Sequence, residues 1–122
     1  MNLGVTGKKG EDMVASFLRK KGYSILKRNY RCRYGEIDII SQKENIIAFT
    51  EVKTRHEKSL VSPKEAVTGK KMTRITSTAQ DYLTKTRSSD HIQPRFDVAE
   101  VTLFNKKDST TGYKLNYIKN AF

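Results

Sequence analysis

The sequence predicts a mixed β-sheet flanked by α-helices, in the order α-β-β-β-α-β-β. Two kinds of segment lead there. Two long stretches repeat apolar residues with the helical period, and five shorter runs are rich in Ile, Val, Phe, Tyr and Thr. A third observation places the second and third strands at the centre. Ile37, Ile39, Ala48, Thr50 and Val52 would occupy one face of that hairpin, and Ile40, Ile47 and Phe49 the other. A hairpin apolar on both faces belongs inside a covered sheet.

The first helix is expected from Thr6, a candidate N-cap, to Lys21, with Val14, Phe17 and Leu18 on its apolar stripe and Gly22 as its C′ residue. Glu11 falls on that same stripe. It would either favour the helix N-terminus electrostatically or aim at a positive group such as a metal. A strand follows over Tyr23–Tyr30, then a basic, aromatic turn, Arg31-Cys32-Arg33-Tyr34. Such a turn suits a nucleic-acid backbone with an occasional stacked base; alternatively its tyrosines pack on the sheet edge. Cys32 has no evident base beside it and reads as an inert thiol.

The central hairpin runs over Glu36–Gln42 and Ile46–Thr54. After it, Arg55–Ser59 reads as a polar loop that exposes His56. Ser62-Pro63-Lys64-Glu65 carries a capping box with Pro at N1, and Thr68 is a second N-cap. The second long helix is expected over Gly69–Lys85, with Met72, Ile75, Ala79, Tyr82 and Leu83 facing inward. Lys70, Lys71 and Arg74 crowd its first turns, where cations oppose the helix dipole. They make either a phosphate-binding edge or a solvated basic face. Strands over Arg95–Leu103 and Tyr113–Ile118 complete the chain, joined by a turn at Asn105–Gly112.

The chemistry concentrates in the hairpin. If Glu44-Asn45 forms a two-residue loop, Asp38 lies opposite Glu51 and Glu36 opposite Lys53, with Cβ atoms roughly 4.5–5.5 Å apart. Facing carboxylates repel, and a divalent cation such as Mg²⁺ or Mn²⁺ would convert that repulsion into ligation. Lys53, two residues after Glu51, shares its face. It could neutralise charge at a reacting phosphate or simply pair with Glu36. The metal would lend Lewis acidity to phosphodiester hydrolysis.

Composition supports such a partner. The chain has 122 residues, enough for one domain with a core, and 24 Lys and Arg against 13 Asp and Glu, a net charge of +11. That excess favours a polyanion, with nucleic acid first. No apolar run long enough for a membrane span and no signal-peptide pattern stand out. A single cysteine excludes an intramolecular disulfide. The cytoplasm is the expected compartment.

Gly35-Glu36-Ile37-Asp38-Ile39-Ile40 followed by Glu51-Val52-Lys53-Thr54-Arg55 resembles the YraN family of predicted endonucleases, within the PD-(D/E)XK, or restriction-endonuclease-like, superfamily. Gly7-Lys8-Lys9-Gly10-Glu11, Ala66-Val67-Thr68, Arg95-Phe96-Asp97-Val98 and Asn120-Ala121-Phe122 extend the likeness over nearly the whole chain. The resemblance implies a restriction-endonuclease-like fold and a Mg²⁺- or Mn²⁺-dependent endonuclease acting on DNA, with branched or processed DNA as substrate. Asp38, Glu51 and Lys53 match the catalytic positions. Glu11 matches a helix glutamate of the Holliday-junction-resolvase branch, and Lys71 a basic position in the later helix. Ile37 stands where the superfamily has Pro, and Met72 near where relatives have Gln. Phosphate contacts would come from Lys70, Lys71, Arg74, Arg31, Arg33 and Arg55. A homodimer would suit a junction or duplex. The competing expectation is a nucleic-acid-binding protein that keeps the nuclease fold without cleaving.

Overall fold

The computed structural model describes residues 3–57, 69–108 and 110–122, with side chains of the first helix from Gly7 onward. The elements are α1 (Leu3–Lys20), β1 (Ser24–Cys32), β2 (Gly35–Lys43), β3 (Ile46–His56), α2 (Gly69–Lys85), β4 (Gln93–Asn105) and β5 (Thr111–Ile118). They form one mixed sheet in the order β1-β2-β3-β4-β5. β3 and β4 run parallel, and every other neighbouring pair is antiparallel. A parallel pair needs a crossover connection, and α2 lies within it. No helix among the described residues is long and apolar enough to cross a membrane.

The helices cover opposite faces. Val14, Ala15 and Leu18 of α1 pack on Ile39, Ala48, Ala99, Val101 and Leu103. Ile75 and Ala79 of α2 pack on Ile37, Ile40, Ile47 and Phe49, with Tyr82 and Leu83 alongside. Each Val, Leu, Ile or Phe side chain so buried contributes about 1.5–3 kcal/mol. α1 ends as its glycine requires. Gly22 has φ of 93°, its N–H donates to Arg19 O at 3.0 Å, and Tyr23 N–H donates to Leu18 O at 2.9 Å. These two bonds are the Schellman arrangement.

A buried ion pair ties β4 to both ends of the chain. Arg95 Nη2 donates to Asp97 Oδ2 at 2.8 Å and to the Tyr23 hydroxyl at 2.9 Å. Tyr117 donates its hydroxyl to Asp97 Oδ2 at 2.6 Å, and Asn120 N–H donates to Oδ1 at 3.1 Å. Asp97 raises the Arg95 pKa above its ordinary value, against burial. Burial, with the Asp97 charge, does the same to the Tyr117 hydroxyl. The Arg95 guanidinium therefore stays charged in the interior.

Several expectations change. α1 begins at Leu3, so Thr6 lies within the helix and is not its N-cap. The Ser62–Glu65 helix start and the Thr68 N-cap lie outside the described residues. Arg55 and His56, read as the start of a loop, continue β3, because parallel pairing runs to His56↔Leu103; His56 is half-buried, not exposed, and Lys58 and Ser59 lie outside the described residues. Met72 stays out of the α2 cluster, whereas Thr78 is buried and donates its hydroxyl to Arg74 O at 2.7 Å.

The hairpin register follows the two-residue loop: Lys43 pairs with Ile46 and the ladder runs to Ile39↔Thr50. Beyond that, regular pairing stops. A continued ladder would set Val52 opposite Ile37, but Val52 N–H donates instead to the Asp38 carboxylate. On the other side of β2, Arg28↔Ile39 and Tyr30↔Ile37 bracket Asn29, whose φ is 53°. Alternation breaks at Asp38 as a result. Ile37 packs under α2, not with Ile39 under α1.

Candidate active site

Asp38 and Glu51 line one open cleft of about 500 Å³, together with Gly35, Glu36, Lys70, Lys71, Arg74 and Ile75. The sheet supplies the carboxylates and the first turns of α2 supply the cations. Two predicted groups of residues, the hairpin acids and the basic start of α2, therefore face each other. The cations that oppose the α2 dipole acquire a local reason in the acidic wall they meet.

Asp38 sits where β2 and β3 stop pairing. Its Oδ2 accepts the Val52 N–H at 2.8 Å. Burial, with the nearby charges of Glu11, Glu51 and Glu36, pushes its pKa up from 3.8 to about 6, despite that bond. Glu51 Oε1 lies 3.0 Å from Lys53 Nζ and 2.6 Å from Lys71 Nζ. Its other oxygen, Oε2, is buried without a hydrogen-bond partner. Burial and the Lys71 ammonium hold the Lys53 pKa below its ordinary value, with Glu51 opposing. For Lys71 burial also disfavours the charge, but the Glu51 carboxylate prevails and the pKa stands above ordinary.

The expected pairing of Glu36 with Lys53 does not form. Glu36 takes Arg31 Nε at 3.2 Å, and Lys53 takes Glu51. The cause is the early end of the β2–β3 ladder, which leaves Glu36 beside β1. Glu11 is not extended into solvent, its side chain being 19% exposed, and its near partner is Arg28 Nη2 at 3.7 Å. With the helix beginning at Leu3, Glu11 lies beyond the first turn, where the dipole acts weakly. It reaches the site as a charge acting on Asp38, not as a wall of the cleft.

The remaining predicted cations divide. Lys70 and Arg74 are exposed at the cleft, and Lys71 is half-buried there. Arg31 and Arg33 stand exposed at the β1–β2 turn, outside the cleft lining. Arg55 is half-buried on β3, two residues past Lys53 and so on its face. Sequence reasoning missed Arg28, which holds Asp12 at 2.7 Å as well as Glu11. It also missed the contact of Lys71 with Glu51. The only signal for the latter was the proximity of two oppositely charged motifs, which no local period encodes.

A divalent cation fits this donor set. The orphaned Glu51 Oε2 and the Asp38 carboxylate supply oxygen donors, and Mg²⁺ is characteristically held by one or two carboxylates plus water and phosphate. Among the described residues no three His, Cys, Asp or Glu side chains gather as a metal cage.

Comparison with known proteins gives the chain its relatives. Residues 10–101 match the model of "Uncharacterised protein family UPF0102". A UPF0102 protein of Clostridium perfringens is 47% identical over 113 residues, covering 93% of this chain and 89% of that protein. One from Caldicellulosiruptor bescii is 43% identical over 122 residues, the full length of both. One from Chloroherpeton thalassium is 47% identical over 108 residues, covering 88% and 83%. The matched segment holds Asp38, Glu51, Lys53 and the start of α2, and on these matches the chain belongs to the UPF0102 family.

Proposed function

We propose that this protein is a Mg²⁺- or Mn²⁺-dependent endonuclease that hydrolyses DNA phosphodiester bonds, of the YraN type within the PD-(D/E)XK superfamily. The observation that carries the reading is the cleft itself. Two carboxylates, one with a buried oxygen lacking any partner, face a wall of Lys and Arg. Lys70 and Arg74 would hold the phosphates flanking the scissile one, and Asp38 and Glu51 would hold the cation. When bound, that cation supplies Lewis acidity to the phosphate and activates the attacking water. Lys53, its charge weakened by burial, would orient that water and share its proton at Nζ. Lys71 would turn from Glu51 to the charge developing on the phosphate.

The test is purified protein with Mg²⁺ or Mn²⁺ on single-stranded, duplex, flap and four-way DNA. Wild type is expected to cut at least one substrate. Asp38→Asn and Lys53→Ala should each lose cleavage by orders of magnitude, Lys53→Ala with metal binding largely kept. Asp38→Asn cutting as fast as wild type would refute the carboxylate mechanism.

One observation favours a second reading. Lys53 and Lys71 both close on Glu51 Oε1, which meets much of the carboxylate's charge without any metal. A nucleic-acid-binding protein that keeps the fold but does not cut would look like this. Wild type that binds the DNA panel and cuts none of it decides for that reading.

A further inference from the structure

The β1–β2 turn carries two tyrosines with different fates. Tyr30 packs into the α2 cluster and donates its hydroxyl to Asp81 Oδ2 at 2.5 Å, so folding accounts for it. Tyr34 has no such role. It is 40% exposed, and only Leu26 shares that condition among the large hydrophobic side chains described.

Exposed as it is, Tyr34 is fixed in place. Cys32 pairs with Gly35 across the turn, and Tyr34 N–H donates to Cys32 Sγ at 3.4 Å. Arg33 Nη2 donates to the Tyr34 hydroxyl at 2.6 Å, and its guanidinium carbon lies 4.8 Å from the ring centroid. Gly35, with φ of +155°, lets the turn press on α2; a Cβ there would come within 3.3 Å of Thr78 Oγ1. The ring stands at the wall of a second cavity, of about 540 Å³. Thr76, Ser77, Gln80, Asp81 and Thr84 of α2 form its other walls. This cavity adjoins the carboxylate cleft. Tyr34 lines one, Gly35 and Glu36 line the other, and Arg74 and Ile75 give way to Thr76 and Ser77 along α2.

We propose that Tyr34, backed by Arg33, is a stacking platform for an unpaired nucleobase. The substrate class would then be nucleic acid with a single-stranded segment beside the phosphate held at Asp38 and Glu51. This deepens the proposed function and rests on its nucleic-acid part. Aromatic rings and guanidinium planes hold unstacked bases, whose faces a duplex conceals. The cavity walls offer hydroxyl and amide groups suited to base edges. Their one acid, Asp81, is balanced by Lys85 at 3.1 Å, so it does not repel an approaching strand. None of the residues lining it is aliphatic, so an aliphatic side chain of a protein partner would find no like surface to pack on.

The test is binding without metal, in EDTA, to a labelled single-stranded oligonucleotide and to a blunt duplex of the same sequence. Tyr34→Ala should weaken single-strand binding about 5- to 150-fold and leave duplex binding within about twofold. Tyr34→Phe should retain single-strand affinity. The chain has no tryptophan, so Tyr34→Trp adds a unique fluorophore, which the single strand should quench and the duplex should not. Equal losses on both ligands, no loss on either, or an unquenched Trp would overturn the platform. A fold-wide effect would appear as a lowered melting temperature with equal losses, and also counts against it. Because no cleavage is measured, failure of the nuclease reading would leave this result standing, and the reverse.

Discussion

Asp38 links the geometry of the site to a measurable pH dependence. Its pKa rises from 3.8 to about 6 on folding, chiefly by burial. Between those values the folded chain holds a proton that the unfolded chain has lost. Stability from this group is therefore fullest below about pH 4, declines as pH rises through 6, and levels off above, by up to roughly 3 kcal/mol. Asn at position 38 keeps an acceptor for Val52 N–H and carries no charge. In EDTA at pH 8, Asp38→Asn should melt about 5–10 °C above wild type, and at pH 4 the two should agree closely. Mn²⁺ should raise the wild-type melting temperature more than the variant's, since a neutral amide oxygen is a weaker ligand than the carboxylate it replaces. An equal gain for Asp38→Asn at both pH values would mean that packing, not charge, is responsible.

At the scale of elements, α1 is seated on β3 through a glycine. A Cβ at Gly10 would run into Thr54 Oγ1, so Gly10→Ala should cost about 1–3 kcal/mol through overpacking, read as a lowered urea midpoint. Unchanged stability would show that Thr54 can turn aside. The Arg95–Asp97 pair makes a sharper case. Asp97→Ala leaves a buried guanidinium unpaired and should cost about 3–5 kcal/mol, enough to reduce the yield of folded protein; a stable Asp97→Ala would contradict the network. That pair was invisible in the sequence, where Arg95 and Asp97 look like ordinary strand charges, because burial by Tyr23 and Tyr117 comes from distant parts of the chain. The bounds of α2 and the Glu44-Asn45 turn were legible, since apolar period and loop length are local properties. Asp38 and Glu51 line one cleft, but the direct opposition expected of them is absent from the ladder, which ends at Ile39↔Thr50. Ile37 and Glu36 were misplaced for one reason: alternation presumes a continuing ladder, and the Asp38 side chain ends it. His56 was misread because its strand is extended by pairing with β4, far along the chain.

Across the whole molecule, a charge of +11 matters for function only if it is concentrated where the chemistry is. Lys70, Lys71 and Arg74 stand at the cleft, and Arg31 and Arg33 at the turn beside it. Yet two of the five are engaged by acids, Lys71 by Glu51 and Arg31 by Glu36. Among the described residues, Lys70, Arg74 and Arg33 bridge to no carboxylate and are the cations readiest to displace counterions from phosphates. Each phosphate neutralised on duplex DNA contributes about −0.9 to the slope of log affinity against log salt concentration. With three to five contacts, the wild-type slope should fall between about −3 and −4.5. Removing Lys70 and Arg74 together should weaken binding to all sequences alike and bring the slope about two units nearer zero. Asp38→Asn should leave the slope unchanged and bind as tightly as wild type or more so, since it removes a charge that repels phosphate. Fluorescence anisotropy on one duplex from 50 to 300 mM salt, without metal, measures all three proteins. A slope that survives loss of Lys70 and Arg74 would place the DNA on another face of the sheet and separate the basic surface from the carboxylates.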